Sequence, residues 1–134
     1  MIKLVFVDDD EDVSEVFKII GNGENVSTEV FISGAEALLF LEHNRVDVIV
    51  LDLMLPTLDG LTIAEEIRRN EENDPDRIPV EIVFLTAAQI NDTVRRVAER
   101  TRVKQIFHKP ADLTAMIQEI KGWFPQRRLA NGSL

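Results

Sequence analysis

Carboxylate, hydroxyl and ammonium side chains follow short apolar runs at four places in this 134-residue chain. MIKLVFV runs into Asp8, Asp9 and Asp10; VDVIVL is followed by Asp52, VEIVFL by Thr86, and VKQIFH by Lys109 and Pro110. Gathered on one rim, the acids would repel: two carboxylates about 4 Å apart cost about 1 kcal/mol in water and about 4 kcal/mol at an effective dielectric near 20. A divalent cation relieves that repulsion. The donors are all oxygen, with no His or Cys nearby, which suits a hard ion. Mg²⁺ fits because it binds through one or two carboxylates and keeps water and phosphate oxygens. A carboxylate is then left over, and an Asp so placed can accept a phosphoryl group as an acyl phosphate. Metal and lysine would offset the charge on the transferred oxygens, and threonine would donate a hydrogen bond.

The hydropathy pattern supplies the elements that must position these groups. Strands are expected over Ile2 to Val7, Val26 to Phe31, Val46 to Leu51, Val80 to Leu85 and Val103 to His108, each rich in β-branched or aromatic residues. The third and fourth are almost continuously apolar, as central parallel strands covered on both faces are; VSTEVF is more polar and suits an edge. Helical stripes lie between them: Val13, Val16, Phe17 and Ile20; Leu38 and Leu41 behind a Ser33/Glu36 capping box; Leu61, Ala64 and Ile67 after Gly60. Val94, Val97 and Ala98 follow a cap at Asn91 or Asp92, and Leu113, Ile117, Ile120 and Phe124 form the last stripe. Five strands alternating with five helices predict an α/β fold, (βα)5, with an open parallel sheet and helices on both faces. In such sheets the functional crevice lies outside the carboxyl ends of the strands, where the polar residues fall.

Length predicts a single domain, over residues 1–124, with 125–134 as a polar tail or linker. No apolar stretch approaches the roughly 20 residues of a membrane span and no signal sequence is evident, so a cytoplasmic location without membrane contact is expected. The absence of cysteine excludes disulfides, thiolate metal sites and cysteine nucleophiles. Net charge is −9, which argues against direct nucleic-acid binding by the domain. The charge is unevenly spread: residues 1–94 hold 6 Lys/Arg and 21 Asp/Glu, whereas residues 95–134 hold 9 and 3.

VDDDED, LDLMLPTLDG around Asp52, FLTA with Thr86 and HKP with Lys109 together resemble the response-regulator receiver domain of two-component signalling, the CheY-like superfamily. The motifs fall in the family's order and spacing over residues 1 to about 124. The resemblance implies a flavodoxin-like strand order 2-1-3-4-5. It implies Asp52 as phosphoacceptor, Asp9 as a direct Mg²⁺ ligand, Asp8 acting largely through metal-bound water, and Met54 contributing its backbone carbonyl. Thr86 and Lys109 match the switch hydroxyl and lysine, and Pro110 a position preceded by a cis bond. It further implies a sensor histidine kinase or histidine phosphotransfer protein as phosphoryl donor, and no catalytic turnover beyond the domain's own phosphorylation and dephosphorylation.

Two departures stand out. Receivers often place an aromatic ring three residues before the switch lysine, and here that residue is Ile106, with Phe107 on the opposite strand face. The positions tied in the family to dephosphorylation rate are Met54 and Ala88, which cannot position water through a polar side chain, so a persistent phosphoryl group is expected. Met54 also argues against a phosphohydrolase of the haloacid dehalogenase type, which needs a second Asp there, and DDDED argues against a flavin phosphate loop. A scaffold independent of phosphorylation is the alternative. Glu11 and Asp12 read as the start of the first helix, with Asp12 and Glu15 as a capping box and Asp10 as a possible cap. His43 and His108 read as structural, and NEENDPDR, Asn70 to Arg77, as an exposed loop. Arg95, Arg96, Arg100, Arg102, Lys104, Lys121, Arg127 and Arg128 form a basic region that would suit a downstream protein or a second copy of the chain.

Overall fold

A computed structural model describes residues 1–23, 25–55, 58–109 and 112–125. The elements alternate as β1 (Ile2–Val7), α1 (Glu11–Ile20), β2 (Val26–Phe31), α2 (Gly34–His43), β3 (Val48–Asp52), α3 (Gly60–Glu72), β4 (Glu81–Thr86), α4 (Asp92–Arg100), β5 (Val103–His108) and α5 (Leu113–Gly122). All four strand pairings are parallel, and the sheet order is β2-β1-β3-β4-β5, the flavodoxin-like order.

The twofold period of the strands divides the core into two layers. Val5, Val7, Ile49, Leu51, Ile82 and Phe84 meet Ala37, Leu41, Ile63, Ile67 and Val94 from α2, α3 and α4. Leu4, Phe6, Val48, Val50, Val83 and Leu85 face the other way, onto Phe17 of α1 and Met116, Ile117 and Ile120 of α5. Phe6 and Phe17 stack there with centroids 4.0 Å apart. Burial on both faces is why β3 and β4 read as unbroken apolar runs.

Local chemistry departs from the sequence reading at several points. β3 begins at Val48 rather than Val46, and β3 and β4 each run one residue further than expected, so Asp52 and Thr86 are the last residues of their strands. They remain paired there, Asp52 with Leu85 and Thr86 with His108. The cap of α1 is Asp10, not Asp12; Glu11 and Asp12 fill its first turn, where negative charge suits the helix dipole. Val16 is 48% exposed while Ser14 is buried, because the Ser14 hydroxyl donates to the Asp8 carbonyl at 3.2 Å and so satisfies itself inside. The capping choice at α4 falls to Asn91, whose side chain accepts from the Val94 N–H. α3 continues through Glu72, so part of the acidic stretch read as loop is helical, with Glu71 buried against Arg68. Pro110, Arg127 and Arg128 and the tail from residue 126 onward lie outside the described residues. Among the described residues no helix is long and apolar enough to cross a membrane.

Candidate functional site

Asp8 leaves β1 with its main chain held twice: its N–H donates to the Phe31 carbonyl at 3.1 Å, and its carbonyl accepts from Ser14. Its Oδ1 accepts the Asp10 N–H at 3.0 Å. Asp10 in turn accepts from the N–H groups of Asp12 and Val13 as the α1 cap, so the start of that helix is the frame on which the Asp8 carboxylate rests. From β3, Asp52 accepts the Met54 N–H through Oδ1 at 3.0 Å and is buried.

Gly60 opens α3 directly behind Asp52: a Cβ there would fall 2.6 Å from the Asp52 carbonyl oxygen. Only glycine allows this approach. Thr86 is fully buried, and its hydroxyl oxygen accepts the Ala88 N–H at 3.0 Å, leaving its own proton available for donation. Lys109 follows β5, with its N–H on the Thr86 carbonyl at 2.8 Å.

The side chains converge. Lys109 Nζ lies 2.7 Å from Asp8 Oδ2 and 3.2 Å from Asp52 Oδ2. Asp8, Asp9 and Asp52 each offer a carboxylate oxygen, all within 4.8 Å of one another; Asp8 and Asp52 are buried and Asp9 is exposed. Burial pushes the Asp8 carboxyl above the usual aspartate range and repulsion from Asp52 adds to this, against the opposing pull of Lys109 and the Asp10 N–H. Burial alone would lower the Lys109 ammonium, but its contacts with Asp8 and Asp52 outweigh that and hold it above the ordinary lysine value.

The donor set fits a hard cation. Asp8 Oδ2 is inaccessible to water and, although beside the ammonium, has no hydrogen-bond partner. That one ammonium is shared with Asp52, so negative charge on the three carboxylates is left over for a cation to offset. Three carboxylates with no nitrogen or sulfur donor suit Mg²⁺.

The site residues expected from the sequence thus meet on one rim, Thr86 joining through the Lys109 backbone. Met54 is 63% exposed, and its backbone N–H ties it to the cluster. Ile106 packs into the layer of α2 to α4 and Phe107 into that of α1 and α5, on opposite strand faces as expected. The sequence reading missed Ser14 and Gly60 as supports. A serine at a helical position facing the core was the available signal for the first, and Asp-Gly before an apolar helix stripe for the second.

Residues 4–121 match the family model described as the response regulator receiver domain. The chain belongs to that family. Among curated relatives, the receiver domain is 35% identical over 92 residues to the DNA-binding response regulator MtrA of Mycolicibacterium smegmatis, covering 69% of this chain and 36% of the relative. It is 33% identical over 67 residues to the regulatory protein VanRc of Enterococcus gallinarum, covering 50% and 29%. This chain spans about a third of the length of these relatives.

Solved structures share the architecture. A CheY-like receiver domain protein from Methanospirillum hungatei superposes with a TM-score of 0.79 at 17% identity, covering 97% of this chain and 98% of the other. The receiver domain of Ssk1, in a co-crystal with the histidine phosphotransfer protein Ypd1 of Saccharomyces cerevisiae, gives 0.79 at 25% identity and coverage of 91% and 88%. Receiver domains of response regulators are signalling domains, and phosphorylation and Mg²⁺ are general properties of the family.

Proposed function

We propose that this receiver domain accepts a phosphoryl group on Asp52 from the phosphohistidine of a sensor histidine kinase or histidine phosphotransfer protein, and that its output surface changes in response. The observation that carries this reading is the cluster itself: three carboxylates with oxygens within 4.8 Å of one another, two of them, Asp8 and Asp52, bridged by one ammonium at 2.7 and 3.2 Å. An Asp52 carboxylate oxygen attacks phosphorus as the phosphorus–nitrogen bond breaks; the imidazole leaves and takes up a proton. Asp8, Asp9, Asp52 and the Met54 backbone carbonyl would hold Mg²⁺, which when bound supplies positive charge to the phosphoryl oxygens. Lys109 can transfer its attraction from the Asp52 carboxylate to the new phosphoryl oxygens. Thr86, still accepting from the Ala88 N–H, would donate its hydroxyl proton to the same group, drawing the β4–α4 connection inward.

The receiver of Ssk1 with its phosphotransfer partner supports a donor of that kind for this chain. For output we favour the basic surface of α4, where Arg95 and Arg96 are exposed. It would take an acidic partner or a second copy, and charge reversal at both residues should abolish that binding. The acidic balance of the domain supports neither direct nucleic-acid contact nor membrane contact, and a cytosolic setting follows from the proposed donor.

The decisive experiment is intact-mass analysis after incubation with acetyl phosphate and Mg²⁺, wild type beside Asp52→Asn. One added phosphoryl group on the wild type, absent from the variant and from samples in chelator, is expected. No acyl phosphate even with a kinase partner would leave the phosphorylation-independent scaffold as the better reading.

A further inference from the structure

Arg68 is buried in the middle of α3 and makes contacts that an ordinary helix surface would not call for. Its Nε donates to the Thr101 carbonyl at 2.7 Å, and its Nη1 to the Val80 carbonyl and to Glu71 Oε1, both at 2.8 Å. Nη2 reaches the Arg102 carbonyl at 3.5 Å. Glu71, equally buried, accepts the Val80 N–H through Oε2 at 2.9 Å. One ion pair therefore grips the main chain where it enters β4 and where it turns from α4 into β5. Replacing a buried ion pair by apolar side chains of the same volume is often neutral or stabilising, so stability alone gives little reason for this one. Its value is positional, because a planar fork fixes several carbonyls at once.

The segment it grips is a turn. Thr101, almost wholly buried, bonds the Val97 carbonyl through both its N–H at 2.8 Å and its hydroxyl at 2.6 Å. Arg102 holds φ at 56°, a conformation uncommon for a side chain of its kind. Nearby, Arg100 pairs with Glu65 of α3 at 2.8 Å. The other end of α4 begins beyond Thr86 and Ala88 and is organised by its own cap, Asn91. The helix is thus fastened to α3 at the end away from the carboxylate cluster.

We propose that Arg68 and Glu71 form a clamp that makes Thr101–Arg102 the pivot of α4, so that events at Thr86 swing the start of the helix while its far end stays in place. Arg68 is a positioning residue here, acting through the turn on the output surface. The swing rests on the phosphorylation reading above; the pinning of the turn does not.

Amide hydrogen exchange on the full chain tests both, with phosphorylation scored separately by intact mass. The variants are Arg68→Met/Glu71→Gln, which removes the fork and leaves an acceptor for the Val80 N–H, and Arg68→Lys, which keeps the charge without the fork. In unmodified protein, exchange over residues 100–103 should rise about tenfold or more in both variants, with residues 87–95 within about twofold of wild type. Phosphorylation should alter 87–95 in the wild type and leave 100–103 unchanged, whereas in the variants it should alter both segments. Equal exchange over 100–103 in wild type and variants overturns the clamp, as does phosphorylation that loosens both ends of wild-type α4 alike. Wild-type behaviour of Arg68→Lys would reduce Arg68 to charge balance and overturn its role in positioning. If no phosphoryl group is gained, the phosphorylation reading fails and the comparison in unmodified protein still decides the pinning.

Discussion

Replacing Lys109 by Met keeps most of the aliphatic stem and removes the cation held between two buried carboxylates. At an effective dielectric near 20, the 2.7 Å pair with Asp8 is worth about 6 kcal/mol and the 3.2 Å pair with Asp52 about 5 kcal/mol. Most of that is offset. The ammonium gives up hydration to be there, and 21% of its side chain still faces water, which screens both pairs. A net loss of about 3 kcal/mol remains, at the low end of the range for breaking a buried pair.

The loss should depend on conditions in a definite way. The Asp8 pKa is raised, so the folded state holds that proton more tightly than the unfolded chain. The stability so supplied is complete below the unfolded aspartate range and is lost as pH rises through the folded value of Asp8. Removing Lys109 takes away an interaction that lowers this pKa, so the deficit of the variant should be smallest in acid and largest near neutrality. Lys109 itself has a raised pKa, and its contribution is present below the ordinary lysine value and fades only as pH rises through its folded value. Urea unfolding of wild type and Lys109→Met, with chelator or with saturating Mg²⁺, measures the effect. The expected deficit is about 3 kcal/mol near pH 7.5 in chelator, falling to about 1 kcal/mol or less with Mg²⁺ and shrinking toward about pH 5. A deficit indifferent to both pH and Mg²⁺ would refute the electrostatic argument and reduce Lys109 to packing.

Gly60→Ala should destabilise by about 2 kcal/mol or more, since its methyl group would meet the Asp52 carbonyl at 2.6 Å; thermal unfolding reads this, and an unchanged melting temperature would contradict the close approach. Asp10→Ala removes the side chain that accepts from Asp12 and Val13 and should cost about 1 kcal/mol in urea unfolding, with Asp10→Asn close to wild type. Met54→Asn places a polar side chain at the exposed rim of the cluster and should shorten the life of the acyl phosphate about tenfold by mass analysis over time; rapid loss in the wild type, unchanged in the variant, would remove Met54 as the cause of persistence.

The β/α alternation was readable because the central strands are compact apolar runs, the others are rich in β-branched or aromatic residues, and most helix starts carry a polar cap. The rim was readable for a related reason: parallel strands put successive carboxyl ends on one edge, so Asp8, Asp52, Thr86 and Lys109 could be gathered without knowing a distance. Side-chain exchanges that cross elements were not readable. Val16 looks like core by spacing, but Ser14 takes the inner position through a hydrogen bond to a carbonyl six residues earlier. Glu71 lies in a run that reads as a solvated loop, and only Arg68, with its reach to Val80 and Thr101, accounts for its burial. Periodicity reports which residues prefer water; it does not report which polar groups have found partners inside.

The Lys109 side chain joins the fifth strand to the first, although β3 and β4 lie between them in the sheet. Closing so long a loop costs entropy that the contact must offset. A sheet of β1, β3 and β4 without β5 would carry the acidic rim without its internal cation. The edge strand β5 is therefore held to the sheet by charge as well as by burial of its apolar side chains, and its detachment would restore the repulsion. The ammonium that balances the acidic rim thus also acts as a latch on the edge of the sheet.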